Sequence, residues 1–86
     1  MGAVTLKEAR QFYAIGEYAK AAESCKKAIE DKQFDSGWRL LLMRSYLVTG
    51  QLLEAKKLSE TLLQDYRYRY NAEALWLFHL SFEANG

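Results

Sequence analysis

The chain has 86 residues, 50% of them hydrophobic, 14% aromatic and 27% charged, which fits one small domain and excludes a disordered or collagen-like segment. Twelve Lys and Arg against eleven Asp and Glu leave a net charge of +1, without the basic excess that nucleic-acid binders normally carry. Proline is absent and a single cysteine cannot form an internal disulfide, so nothing requires an oxidising compartment. Glu8 interrupts the N-terminal stretch where a secretory leader would be apolar, and no run reaches the ~18 apolar residues of a membrane span. The expectation is an all-α domain of the cytoplasm with no membrane contact.

Thr5-Leu6-Lys7-Glu8 reads as a capping box that starts a first helix. Leu6, Ala9, Phe12 and Tyr13 then share a face, and Gly16 stops the helix by accepting a left-handed backbone. A second helix starts near Tyr18, with Ala21, Ala22, Cys25, Ala28 and Ile29 as its apolar stripe. Lys32 to Asp35 connects it to a third, capped by Asp35 or Ser36, which runs from about Gly37 to Thr49 and is closed by Gly50. The fourth helix spans roughly Leu52 to Asp65. The alternating run Tyr66-Arg67-Tyr68-Arg69-Tyr70 follows, and Asn71 caps a fifth helix over Ala72 to Ala84, with Asn85-Gly86 as its stop.

The glycines at 16, 50 and 86 are spaced by 34 and then 36 residues, each preceded four positions earlier by an aromatic residue: Phe12, Tyr46, Phe82. Tyr18 and Leu52 follow the first two glycines by two positions, Ala21 and Ala55 by five. A helix–turn–helix unit with a period near 34 is the signature of the tetratricopeptide repeat, and the chain resembles that family over nearly its whole length. Phe12, Gly16-Glu17-Tyr18, Ala21 and Ala28-Ile29 carry the best match. Leu42, Tyr46, Gly50, Leu52, Ala55 and Leu62-Leu63 carry the second, and Leu75, Phe78 and Phe82 a third. The family's tryptophan is replaced by Thr5 and Arg39, its small mid-helix residue is Ala9 but then Met43 and His79, and its closing proline is Gln33 and Arg67. The resemblance implies antiparallel helix hairpins stacked as a right-handed α-solenoid of five helices in a single domain, 1–86. Repeat 1 covers about 5–35, repeat 2 about 36–70, and the first helix of repeat 3 about 71–86, a piece of a longer protein.

In that family the first helices of the units line an inner surface that holds a peptide or helix of a protein partner. The resemblance places Leu6, Arg10 and Tyr13 there, then Leu40, Arg44 and Leu47 with Val48 at the edge, then Trp76, Leu80 and Glu83. The implied groove pairs an apolar row with two guanidiniums, whose planar forks suit a carboxylate. A family subtype grips a C-terminal carboxylate with lysines and asparagines. The matching positions here are Leu6, Arg10, Leu41, Glu73 and Leu77, of which only Arg10 is basic, so that mode is disfavoured.

From Ala74 to Phe82 every residue except His79 and Ser81 is apolar. A helix apolar on all sides is built for burial, and without a hairpin partner it is expected to expose Leu75, Phe78 and Phe82 and to pair copies of the chain as a dimer. Single-stranded RNA contact through the Tyr–Arg run is the weaker alternative, set against tyrosines that merely pack in a connection. His79 has no companion at metal-ligand spacing, Cys25 reads as an inert core thiol, and no nucleophile–base motif or phosphate-binding glycine loop is present. The expectation is a non-enzymatic scaffolding module with no catalytic residues, metal or cofactor.

Overall fold

A computed structural model describes residues 3–85, and all regular structure in them is helical: α1 (Leu6–Ala14), α2 (Tyr18–Glu30), α3 (Gly37–Val48), α4 (Leu52–Leu62), α5 (Tyr66–Arg69) and α6 (Ala72–Ala84). Thr5 opens α1 through a reciprocal capping box. Its backbone amide donates to Glu8 Oε1 at 3.0 Å, and the Glu8 amide donates to Thr5 Oγ1 at 3.1 Å.

The ends of α1 and α3 are copies of one another. Gly16 and Gly50 have φ of +85° and +76°. The Glu17 amide donates to the Phe12 carbonyl and the Gln51 amide to the Tyr46 carbonyl, both at 2.8 Å, which satisfies carbonyls the helix leaves free. The end of α2 closes the same way with no glycine: Lys32 takes φ +63° while Gln33 donates to the Ala28 carbonyl at 2.9 Å. The expected stop at Gly86 lies outside the described residues.

Six helical elements replace the five expected. The region read as a plain connection contains a single extra turn, because Asp65 accepts from the Arg67 amide at 2.9 Å and so caps Tyr66–Arg69. The fourth helix ends earlier than expected, at Leu62, for the same reason. Asn71 caps α6 by accepting from the Ala74 amide at 3.0 Å. At α3 the side chain that serves is Asp35, which accepts from the Gly37 amide at 2.8 Å. Ser36 makes no capping bond.

Helix α3 is the wall between two apolar clusters. On one side Trp38, Leu41, Leu42 and Tyr46 pack with Ala9, Ala22, Cys25, Ala28 and Ala55. On the other, Leu40 and Met43 pack with Leu62, Tyr68, Ala74, Leu77 and Phe78. Ala9, Ala21 and Ala55 are fully buried, so at those points nothing larger than a methyl group keeps neighbouring helices apart. The layers extend 41 × 26 × 19 Å, twice as long as they are thick.

Candidate functional site

Helices α1, α3 and α6 border two adjoining concavities. The larger, about 390 Å³, is lined by Arg10 and Tyr13 from α1, by Asp35, Ser36, Gly37, Leu40, Leu41 and Arg44 at and within α3, and by Asn71 and Glu73 at the start of α6. The smaller, about 250 Å³, is lined by Tyr13, Arg44, Leu47, Val48, Leu77 and Leu80. Tyr13 and Arg44 belong to both, so the two form one groove. Its floor is apolar, and Tyr13 is steadied by Tyr18, whose ring meets it edge-on with centroids 5.1 Å apart.

Gly37 sits where the start of α3 meets α1: a Cβ there would fall 2.6 Å from Leu6 Cδ2 and 2.8 Å from Arg10 Nη2, so a larger residue would have to displace the ends of both side chains.

Charge in the groove differs from the expectation of two free guanidiniums. Arg44 Nε donates to Glu73 Oε2 at 2.8 Å, an ion pair with both side chains about two-fifths exposed. Such a pair stabilises the fold by only about 0–1 kcal/mol, but it commits Arg44. Arg10 is the groove arginine with no ion pair among the described residues. Asp35 and Glu73 balance the two arginines along the lining, so the groove presents both signs of charge.

Seven of the ten groove positions read from the sequence are brought together: Arg10, Tyr13, Leu40, Arg44, Leu47, Val48 and Leu80. Leu6, Trp76 and Glu83 are not. Leu6 is half-buried and packs against the core under Gly37. Trp76 is 57% exposed and lines neither concavity; its ring centroid lies 5.8 Å from that of His79. Glu83 is 69% exposed and lies 3.5 Å from His79 Nε2. The lining residues the sequence reading missed are Asp35, Ser36, Gly37 and Asn71, while Leu41, Glu73 and Leu77 were read only as positions of the disfavoured carboxylate grip; all seven lie at the N-terminal ends and inner flanks of α3 and α6. Two of them, Asp35 and Asn71, were legible as caps, and the same exposed loop ends that cap a helix also rim the groove.

The expectation that Leu75, Phe78 and Phe82 are exposed together is also corrected. Phe78 is 3% exposed and Phe82 packs against the second cluster. Only Leu75, at 47%, stands open. The stripe Ala74, Leu77, Phe78 and Ser81 faces inward at helical spacing and carries the aromatic rings onto α3 and α4.

The Tyr–Arg run is occupied by structural contacts. Arg67 grips both oxygens of Asp65, at 2.7 Å for the closest, and donates to the Phe34 carbonyl, while Arg69 donates to the Leu63 carbonyl. The hydrogen bond from Arg67 holds the Asp65 carboxyl below its usual range. Tyr68 is fully buried, whereas Tyr66 and Tyr70 are open. Burial pushes the Cys25 thiol up to about 12, leaving it protonated and unreactive near neutral pH.

Among the described residues no group of three or more His, Cys, Asp or Glu is placed to hold a metal, and no helix is long and apolar enough to cross a membrane. No family model, curated protein or solved structure matches the chain.

Proposed function

We propose that the chain is a tetratricopeptide-type stack, with α1–α2 and α3–α4 as two hairpins of a right-handed solenoid and α6 as the first helix of a third. Its function is to bind a peptide or helix of a protein partner along the groove of α1, α3 and α6, as a scaffolding module without catalysis of its own. One observation carries this reading: positions chosen only by a register of 34 and 36 residues line one continuous groove, from Arg10 through Arg44 to Leu80. The groove is apolar at its floor and polar at its rim, as recognition sites for extended segments generally are. Arg10 supplies a fork for a partner's carboxylate, and the Arg44–Glu73 pair orients polar groups of the bound chain.

The test is selection of ligands from a random peptide library on the intact chain, followed by anisotropy titration. Tyr13→Ala removes the ring shared by both halves of the groove and should weaken selected peptides at least tenfold, titrated well below the variant's thermal midpoint, which falls with the lost packing against the core and Tyr18. Arg10→Ala should weaken only the ligands that carry an acidic residue. Peptides that bind both variants as tightly as the original chain would place recognition elsewhere.

A further inference from the structure

The links that follow α2 and α4 meet at one edge of the molecule. Arg67 of the α5 turn donates through Nη1 to the Phe34 carbonyl at 3.3 Å, across 33 positions of sequence. Three aromatic rings stand open at this edge: Phe34 at 78% exposure, Tyr66 at 75% and Tyr70 at 90%. No other large apolar side chain among the described residues is as exposed. Tyr66 and Tyr70 lie at either end of α5, and helical spacing puts them on the side opposite Tyr68, which is fully buried.

Charge at this edge is uneven, although the whole chain carries only +1. Asp65 is neutralised by its ion pair with Arg67. Arg69 spends its Nε on the Leu63 carbonyl and has no ion pair among the described residues. Arg39 has none either, and its Nη1 is buried without a hydrogen-bond partner among those residues. Behind the hydrogen bonds from Arg67, the charge of Arg39 also lowers the Asp65 carboxyl, which places Arg39 beside the clasp. Asp35, next to Phe34 in the chain, lines the groove and accepts from the Gly37 amide. Two uncompensated guanidiniums therefore accompany three open rings. Two charges hold a strand only weakly, so the rings must carry most of any affinity. Open ring faces are what unpaired bases stack on, and a duplex hides its base faces.

We infer that the edge formed by Phe34, Tyr66 and Tyr70 with Arg39 and Arg69 binds single-stranded RNA, separately from the groove. Bases stack on the rings, phosphates lie by the guanidiniums, and the two phenol hydroxyls meet ribose 2′-hydroxyls. The inference does not use the repeat register, so it stands or falls apart from the groove reading.

The probe is a fluorescent uridine dodecamer titrated with the intact chain and followed by anisotropy. Binding should be saturable and should weaken about sevenfold between 50 and 200 mM salt, the dependence of roughly two phosphate contacts. Tyr66→Ala with Tyr70→Ala should weaken it at least tenfold and Phe34→Ala at least threefold, with unchanged circular dichroism because all three side chains are open. Tyr13→Ala should not alter it. The deoxyuridine dodecamer should bind at least threefold more weakly than the RNA, and Tyr66→Phe with Tyr70→Phe should erase that difference. No saturable binding at millimolar protein, equal binding by the ring-truncated variants, or deoxyuridine bound as tightly as uridine overturns the inference. Loss of RNA binding in Tyr13→Ala overturns it too, because the strand then lies in the groove. Library peptides that need Tyr66 and Tyr70, with no RNA bound, assign the edge to a protein instead. RNA binding that persists when no peptide occupies the groove upholds this inference and removes the groove reading alone.

Discussion

Helices α3 and α6 have nearly the same apolar content and very different cover. In α3, Trp38, Leu40, Leu41, Leu42, Met43, Ser45 and Tyr46 are all buried; in α6 only Ala74, Leu77, Phe78 and Ser81 are. Helix α3 lies between α1 and α2 on one side and α4 and α6 on the other, whereas α6 packs mainly on α3, α4 and α5. An all-round apolar sequence states how much burial a helix can use. The neighbours determine how much it receives, and the difference on α6 is concentrated at Trp76 and His79 rather than at its phenylalanines.

The sharpest way to break this comparison is to truncate the same register position in both helices. Met43→Ala empties a closed site and should cost about 2–5 kcal/mol. His79→Ala, on the open face, should stay within about 0.5 kcal/mol of the parent chain. Urea denaturation measures both. Similar losses would mean that α6 is covered as completely as α3.

A smaller effect sharpens the boundary between the two helices. Tyr68 is fully buried in the cluster that joins Leu40 and Met43 to Phe78, and its hydroxyl has no hydrogen-bond partner among the described residues. Tyr68→Phe keeps the ring and removes the desolvated oxygen, so the midpoint of unfolding should rise by the equivalent of about 1 kcal/mol. A fall would show that the hydroxyl is bonded.

The smallest effect concerns the exposed clasp that holds the α5 turn between them. The Asp65 carboxyl titrates below its ordinary value of 3.8 because Arg67 donates to it. Its folded pKa is depressed, so its contribution is present above that ordinary value and is lost as the pH falls through the lowered one. Asp65→Asn retains a capping side chain but not the charge. The thermal midpoint of the parent chain should exceed that of the variant slightly at pH 6, and the two should converge toward pH 2. A gap unchanged by acid would assign the effect to something other than this carboxylate.

Much of the fold was legible because its signals are local. The Thr5–Glu8 box, the glycines at 16 and 50 and the Asn71 cap each act through hydrogen bonds spanning a few residues, and each forms where the sequence places it. The groove was legible in part because a helical period and a repeat register together assign a side to each residue. Leu6 and Trp76 escaped that rule. Helix α3 closes on Leu6 through Gly37, and nothing lies over Trp76. The extra turn at Tyr66–Arg69 escaped it because Asp65 and Arg67 are ordinary surface residues until they meet.

Composition, caps and spacing thus specified the all-helical class, most of the helix ends and about half of the side chains that line the groove, since these follow from backbone sterics and periodicity. Which apolar residues of α6 are buried, that Arg44 is paired with Glu73, and that Arg10 has no ion pair among the described residues were settled only by packing. They depend on which helix lies against which, and residues 29 positions apart carry no mark in the sequence that they will touch.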